Sequence, residues 1–304
     1  GSVRAAPWKR QRERGSAFAK RLILWIALHM GRRPARVLLY PISFYFLLLA
    51  PASRRASRDF LTRVLPRRPS WLDVWRHLHT FAATILDRVF LLSGRERLLD
   101  VRIHGAEKVE AYLQQGQGAV LLGAHTGSFE VLRALGITQY DAPVHILMDH
   151  DHNETITRYL EALNPDVAQR VIPLGGPMAI LRVKEVLEAN GLVGMLGDRV
   201  EDGRDGVVCD FLGESARLPV GPLRLAARLR TPVVLFFGIY RGGRRYDIHF
   251  ECFADYRDAS TAAGAQASLQ DEVQRYAERL AAYVRSYPFN WFNFYDFWDQ
   301  ESTR

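Results

Sequence analysis

After Asp100, short apolar runs alternate with segments whose apolar residues recur at helical spacing. The short runs predict strands at Val101 to His104, Ala119 to Gly123, Val144 to Met148, Val171 to Leu174, Leu192 to Leu196, Val207 to Leu212, Pro232 to Ile239 and Asp247 to Phe253. The periodic segments predict helices at Ala106 to Gln115, Ser128 to Ile137, Asn153 to Leu163, Met178 to Asn190, Pro222 to Leu229 and Leu269 to Ser286, and the same spacing predicts a helix before Asp100, at Trp71 to Leu92. This alternation predicts an α/β sandwich with a mostly parallel central sheet flanked by helices.

The first seventy residues follow a different pattern. Two strongly apolar stretches, Leu22 to Met30 and Val37 to Ala50, are divided by the break at residues 31–34 and flanked by arginines. Each is short of the about 20 apolar residues that a membrane-spanning helix needs. Apolar and aromatic runs beside arginines are typical of helices that lie in the headgroup region. We expect a monotopic anchor rather than a single-pass span, with a buried helical hairpin as the alternative.

Charge supports this division of the chain. The formal net charge is +8, but residues 1–70 contain sixteen Lys and Arg against Glu13 and Asp59, a net of +14, which leaves −6 for the rest. A basic, apolar segment is attracted to anionic lipid, whereas nucleic acid would not cover its apolar blocks. We therefore predict a tag remnant and basic lead at 1–15, membrane-associating helices at 16–66 and the α/β domain at 67–304.

The two cysteines are too few for a disulfide framework or a cysteine-built metal site and indicate a cytoplasmic setting.

Candidate chemistry lies where the strand ending at Gly123 gives way to a helix. His125 follows the strand, at the edge where open α/β sheets place their active sites, and Glu130 falls in the first turn of the next helix. From there the carboxylate could reach back, fix the tautomer of the imidazole and stabilise its protonated form. Backbone N–H groups near Gly127 are candidate oxyanion donors. Ser128 is interpreted as a helix cap, because it lacks the G-x-S-x-G turn that exposes a nucleophilic serine.

The run H-T-G-S-F-E beginning at His125 resembles the lipid A biosynthesis acyltransferases, within the wider lysophospholipid and glycerolipid acyltransferase superfamily. The resemblance extends to the arginine-rich apolar N-terminus, the Gly197-Asp198-Arg199 segment, the block from Phe211 to Pro222 and the aromatic ending from Pro288 to Trp298. It implies a glycerol-phosphate-acyltransferase-like fold. It also implies direct transfer from an acyl carrier protein or coenzyme A thioester to a lipid hydroxyl, without an acyl-enzyme, cofactor or metal.

Within that resemblance His125 and Glu130 are the catalytic candidates. Arg199, with Asp198, is a candidate for substrate binding, either at the oxyanion or at a phosphate; a salt bridge to Asp198 or a neighbouring acid is the alternative. Arg158 is a weaker phosphate candidate. Gly221 opens a helix whose N-terminus could face an anion, although a plain strand-to-helix connection explains it equally well. The expected location is the cytoplasmic face of a bacterial inner membrane.

Other readings of the sequence are weaker or remain open. The acceptor could be a lipid A precursor, a lysophospholipid, an amino-acid lipid or a lipid taking an aryl-polyene-type chain, and a non-catalytic membrane scaffold is the alternative from another class. The aromatic ending could line an acyl channel or pack beneath the sheet. The spacing of the acidic and histidine residues between His145 and His152 matches no established zinc pattern, which indicates a solvated loop.

Overall fold

The computed structural model describes residues 25–132, 142, 144–148, 169–174, 177–200, 205–257 and 265–298. The predicted helix Asn153 to Leu163, with the candidate Arg158, lies outside these residues. So do residues 133–137 of the predicted helix Ser128 to Ile137 and the whole of the loop from Asp149 to His152.

A seven-stranded sheet forms the centre of the protein, in the order β1-β9-β8-β2-β5-β3-β4. All neighbouring strands run parallel except β8 and β9, which form an antiparallel pair. The strands are β1 (Asp100–His104), β2 (Ala119–Gly123), β3 (Val144–Met148), β4 (Val171–Pro173), β5 (Leu192–Leu196), β8 (Pro232–Gly242) and β9 (Arg245–Asp255). The prediction of a mostly parallel central sheet is confirmed.

Two further strands lie outside this sheet. Strands β6 (Gly206–Phe211) and β7 (Glu214–Pro219) form an antiparallel hairpin, whose turn has Leu212 and Gly213 at positive φ. The sequence predicted only the first of these strands. The second alternates buried and exposed residues over a short stretch, so its pattern is weak beside the fully apolar strands of the central sheet.

Helices cover both faces of the sheet and bury two apolar clusters. They are α1 (Arg32–Leu49), α2 (Pro51–Val64), α3 (Trp71–Leu92), α4 (Ala106–Gln114), α5 (Pro177–Glu188), α6 (Gly221–Arg228) and α7 (Ala265–Ser286). Helices α2, α5, α6 and α7 pack on one face, and α4 packs on the other. Both α1 and α3 contribute buried residues to the two clusters, so they join the layers.

Helix α3 has the bounds that its periodicity predicts, and local capping explains its start. The hydroxyl of Ser70 accepts from the Asp73 amide at 3.2 Å, and the Asp73 carboxylate accepts from the Ser70 amide at 2.7 Å. This reciprocal pair satisfies N–H groups that the first turn otherwise leaves without partners. Arg67 also binds the Asp73 carboxylate, which keeps the pKa of that group well below its usual value.

The N-terminal helices form a bent pair. Helix α1 ends before Pro51, which begins α2 without the N–H that a continuous helix would require, and the two axes differ by 95°. Among the described helices none is long and apolar enough to cross a membrane by itself, although this bent pair reaches the required length and composition together.

A buried ion pair fixes α1 to the rest of the protein. The guanidinium of Arg32 binds both carboxylate oxygens of Asp87 in α3, at 2.7 and 2.9 Å, and also donates to the carbonyl of Gly243. Tyr246 of β9 donates to the same carboxylate at 2.8 Å. Asp87 is completely buried, so these contacts replace the water that its charge would otherwise need. The start of α1 is therefore held in one position on the sheet.

Candidate active site

Two adjacent parallel strands bring His125 and Asp198 together. Gly123 and Leu196 are paired at the ends of β2 and β5, so His125 and Asp198 each lie two residues beyond that pair. Nδ1 of His125 lies 2.7 Å from Oδ1 of Asp198, and the amide of His125 donates to Oδ2 of the same carboxylate at 3.0 Å. The site therefore lies at the carboxyl edge of the sheet, where the sequence predicted it.

Asp198 is completely buried and accepts several hydrogen bonds. Oδ2 accepts from the Trp291 indole and from the Asn293 side-chain amide, each at 2.9 Å, in addition to the His125 amide. Burial alone would raise the pKa of this carboxyl, but attraction to His125, hydrogen bonds from it and the positive charge of Arg199 outweigh burial and hold the pKa well below its usual range. Asp198 therefore stays ionised, while the imidazole beside it is 28% exposed and accessible from outside.

The segment from Asn290 to Asn293 holds the loop that carries His125. Its Phe292 amide donates to the carbonyl of His125 at 2.8 Å, and the Asn290 carbonyl accepts from the Gly127 amide at 2.7 Å. The Asn290 side chain bonds to the amide and the carbonyl of Tyr240 in β8. Residues 290–293 thus connect β8, the loop that carries His125 and the Asp198 carboxylate, and they hold the candidate site together.

The conformation at Gly127 requires glycine. Its φ is +53°, and a Cβ at this position would lie 1.8 Å from the carbonyl oxygen of Gly238. Its amide bonds to Asn290, and the Ser128 amide bonds to the Gly238 carbonyl at 2.8 Å. Backbone carbonyls thus accept from both of these N–H groups, and the expectation that N–H groups near Gly127 serve as oxyanion donors stays a prediction. Gly127 acts by allowing the loop to lie against β8.

The carboxylate of Glu130 binds an arginine of a neighbouring helix. It forms an ion pair with Arg88 of α3 at 2.9 Å, and both side chains are largely buried. The carboxylate at Nδ1 of His125 belongs to Asp198, which follows the adjacent strand, and a contact between Glu130 and His125 stays a prediction. Glu130 lies in the first turn of its helix, and its ion pair attaches that turn to α3.

Arg199 and Asp198 both bind the segment from Asn290 to Asn293. Its Nε donates to Oδ1 of Asn293 at 2.6 Å, and one Nη donates to the carbonyl of Phe292 at 2.9 Å. The guanidinium also lies 5.9 Å from the ring centre of Tyr295. Burial lowers the pKa of Arg199, more than its acidic neighbours raise it. Asn293 therefore bridges the two residues, since its amide donates to Asp198 and its carbonyl accepts from Arg199.

Gly221 begins α6 directly after the β6–β7 hairpin. An added Cβ there would have nothing within 4 Å among the described residues, so this glycine is not required by a close contact. The contacts of the described residues do not connect it to His125. A role for Gly221 in substrate binding stays a prediction.

The aromatic ending packs as part of the core. Trp291, Tyr295 and Phe297 are buried, and Trp291 contacts Phe60 of α2 and Phe211 of β6. These contacts support the packing alternative, because the large rings fill space between elements that are distant in sequence. Trp291 serves two functions, since its ring packs in the core while its indole N–H bonds to Asp198.

A buried histidine supports this ending from α3. Nε2 of His77 lies 2.7 Å from the carbonyl of Trp291, and Nδ1 lies 2.8 Å from the hydroxyl of Ser57. Burial lowers the pKa of His77 from about 6.5 to about 4, against a smaller rise from the bond to Trp291. The imidazole is therefore neutral in the folded protein at neutral pH and links α2, α3 and the chain ending.

We expect His77 to make folding less stable in acid. The unfolded state binds a proton below about pH 6.5 and the folded state only near pH 4, so stability falls as the pH decreases through this window. His77 alone should reduce the free energy of unfolding by about 3 kcal/mol between pH 7 and pH 4. Urea unfolding across this range should show a shallower pH dependence in His77→Gln, and an equal slope in both proteins would contradict the assignment.

Trp291 and Asn293 were not identified from the sequence. They are more than 90 residues from Asp198, and aromatic or amide residues near a chain ending have no pattern that indicates a polar role. Asp198 was recognised, but as a partner of Arg199. One signal could have identified Asp198 as the partner of His125. Asp198 lies two residues after the end of its predicted strand, and His125 lies two residues after the end of the neighbouring one.

The geometry suits proton transfer from an alcohol. With Nδ1 bonded to an ionised, buried carboxylate, Nε2 is the ring nitrogen suited to accept a proton, and the carboxylate stabilises the resulting positive ring. This is the arrangement that activates a hydroxyl nucleophile near neutral pH.

Comparison with known proteins agrees with the motifs. The family model described as bacterial lipid A biosynthesis acyltransferase matches residues 10–300. Phosphatidylinositol mannoside acyltransferase from Mycolicibacterium smegmatis is 27% identical over 186 residues, which cover 59% of this chain and 56% of that protein. The Mycobacterium tuberculosis protein of the same name is 27% identical over 199 residues, covering 64% and 59%. The chain thus matches less than two thirds of the length of these relatives. By its match to the family model, the chain belongs to the bacterial lipid A biosynthesis acyltransferase family.

Proposed function

We propose that this protein transfers a fatty acyl group from a thioester to a hydroxyl of a lipid, with His125 as the general base. The observation that carries the proposal is the 2.7 Å contact between Nδ1 of His125 and the buried carboxylate of Asp198. In the proposed reaction Nε2 takes the hydroxyl proton as the oxygen attacks the thioester carbonyl. The tetrahedral intermediate then collapses to an ester, and the departing thiolate takes the proton from the imidazole.

Glu130 and Arg199 support this reaction in different ways. The ion pair between Glu130 and Arg88 fixes the helix turn that follows the catalytic loop, so Glu130 acts as a positioning residue. Arg199, held by Asn293 and Phe292 beside Asp198, is the proposed source of positive charge for the oxyanion or for a phosphate of a substrate. Backbone carbonyls already accept from the Gly127 and Ser128 amides, which favours Arg199 over them for this role.

The favoured acceptor is a hydroxyl of a glycosylated membrane lipid. The description of the matching family names lipid A, and the names of both relatives contain phosphatidylinositol mannoside. Both of these lipids are glycolipids, which favours an acceptor of that class. The favoured donor is an acyl carrier protein or coenzyme A thioester at the cytoplasmic face of the inner membrane. No step of the proposed reaction needs a metal or a redox cofactor.

A matrix of donors and acceptors tests this function. Purified protein would be incubated with acyl carrier protein or coenzyme A thioesters, each with a lipid A precursor, a phosphatidylinositol mannoside or a lysophospholipid. Mass spectrometry should detect an added acyl chain on a glycolipid and release of one thiol per ester. Thiol release without an acylated lipid would indicate a thioesterase, and the absence of both products would favour the scaffold alternative.

We also propose that α1 and the start of α3 dock on the membrane surface. Val37, Tyr40, Phe44 and Leu48 recur at helical spacing along α1 and are each more than half exposed. Trp71 and Leu72, at the start of α3, are also exposed. The guanidinium groups of Arg54 and Arg58 lie 5.3 and 5.4 Å from the Trp71 ring. An aromatic and aliphatic surface beside arginines is suited to anionic headgroups.

We expect Phe44→Ser with Leu48→Ser to weaken binding to vesicles that contain anionic lipid. Each large side chain that enters the interface contributes on the order of 1.5–3 kcal/mol, so the double variant should bind at least about 100-fold more weakly. Val208→Ser is a matched control, because Val208 is half exposed on the β6–β7 hairpin. Cosedimentation measures both, and equal loss in the control and the double variant would reject this surface.

A further inference from the structure

A cluster of possible metal ligands lies between the two strands at one edge of the central sheet. His104 ends β1, and the register pairs it with His249 of β9. Their rings are stacked, with centroids 4.8 Å apart and planes 14° from parallel. Asp247 precedes His249 by two residues, which places it on the same side of the sheet. Ligand atoms of all three residues lie within 4.8 Å of one another.

One ring nitrogen of His249 lacks a hydrogen-bond partner among the described residues. This atom, Nε2, is buried. A buried polar nitrogen in this position costs free energy unless something binds it.

We propose that His104, His249 and Asp247 bind a divalent transition-metal ion, of which Zn²⁺ is the favoured example. Two imidazoles and one carboxylate match the donors that zinc and similar ions accept, with water completing the coordination. Ca²⁺ and Mg²⁺ prefer sets made only of oxygen and are disfavoured.

Binding requires side-chain movements, because the nearly parallel rings must tilt before both direct a nitrogen at one ion. Zinc–nitrogen distances of about 2.0–2.1 Å place two nitrogens on one ion about 3.3 Å apart, so the present cluster would contract on loading. Arg241 lies 3.2 Å from Asp247 and would have to release it, and Arg102 is the neighbour of Asp247 on β1. Both arginines are exposed enough to move toward solvent, and His104 is itself exposed.

The ion would stabilise the pairing of β1 with β9 and take no part in the reaction at His125. Among the described strands β1 is at the edge of the sheet, beside β9, whereas His125 follows β2, three strands away in the sheet order. A bound ion would join β1 to β9 through side chains as well as through backbone hydrogen bonds. The expected consequence is a higher unfolding temperature.

Calorimetric titration of the metal-free full chain with Zn²⁺ tests this site. We expect one saturable equivalent, a raised unfolding temperature, and at least tenfold weaker binding in His104→Ala and in Asp247→Asn. Cu²⁺ added as a spectroscopic probe should show two bound nitrogens in the wild type and one in His104→Ala.

His29→Ala is the matched control, because His29 is also exposed but lies outside the cluster. It should bind Zn²⁺ like the wild type. The proposal would be overturned by binding of millimolar strength or weaker in the wild type. It would also be overturned by an affinity in His104→Ala equal to that of the wild type, or by a loss in His29→Ala as large as in His104→Ala. None of these results depends on acyl transfer.

Discussion

Replacement of Asp198 by asparagine should reduce the acyl-transfer rate by a factor of about 10²–10⁴ while the protein remains folded. Three N–H groups, from His125, Trp291 and Asn293, donate to Oδ2 of Asp198. They require an oxygen at that place, so the new side chain must direct its NH₂ group toward Nδ1 of His125. Nδ1 must then accept a hydrogen bond, which leaves the proton on Nε2 and removes the base.

Single-turnover rates and circular dichroism would be measured together for Asp198→Asn. Asp205→Asn makes the same chemical change at an exposed ion pair with Arg224 and should leave the rate unchanged. A folded Asp198→Asn protein with the wild-type rate would show that the carboxylate does not set the tautomer of His125. A fall of similar size in Asp205→Asn would remove the specificity of the result.

Replacement of Gly127 by alanine should destabilise the protein by more than about 3 kcal/mol and abolish activity. The new methyl group would lie 1.8 Å from the Gly238 carbonyl oxygen, and the backbone would keep an unfavourable positive φ. Relief would require the catalytic loop to separate from β8, which would break the Gly127 bond to Asn290 and the Ser128 bond to Gly238. Urea unfolding provides the measurement.

Gly116→Ala separates the two causes of this loss. Gly116 also has a positive φ, +67°, but an added Cβ there would have nothing within 4 Å among the described residues. It should therefore cost only about 1–2 kcal/mol, the conformational part of the penalty. Equal losses in the two variants would mean that the close approach to Gly238 has no energetic importance.

Much of the fold could be predicted from local pattern. Strands β2 and β5 and helix α3 have the predicted bounds, because fully apolar short runs and a capped helical period are strong signals. The antiparallel partnership of β8 and β9 and the strand β7 were missed. Strand direction and pairing depend on contacts between distant segments, and the alternating pattern of β7 is too short to be distinctive.

The site was predicted only in part, and its organisation explains why. His125 follows a strand and belongs to a recognisable motif, so its place could be found. The identity of its carboxylate partner depends on β5 lying beside β2, which the linear sequence does not state. The neighbour in sequence, Glu130, was favoured over the neighbour in space, Asp198. The supporting roles of Trp291 and Asn293 depend on contacts across more than 90 residues.

The central claim is that the His125 imidazole accepts the proton of the attacking hydroxyl. The most direct measurement is the single-turnover rate of acyl transfer from a thioester to a glycolipid by folded His125→Ala, beside the wild type in the same preparation. The predicted result is acylated lipid from the wild type and a rate at least about 10²-fold lower from the variant. Acylated lipid formed at equal rates by both proteins would contradict the account.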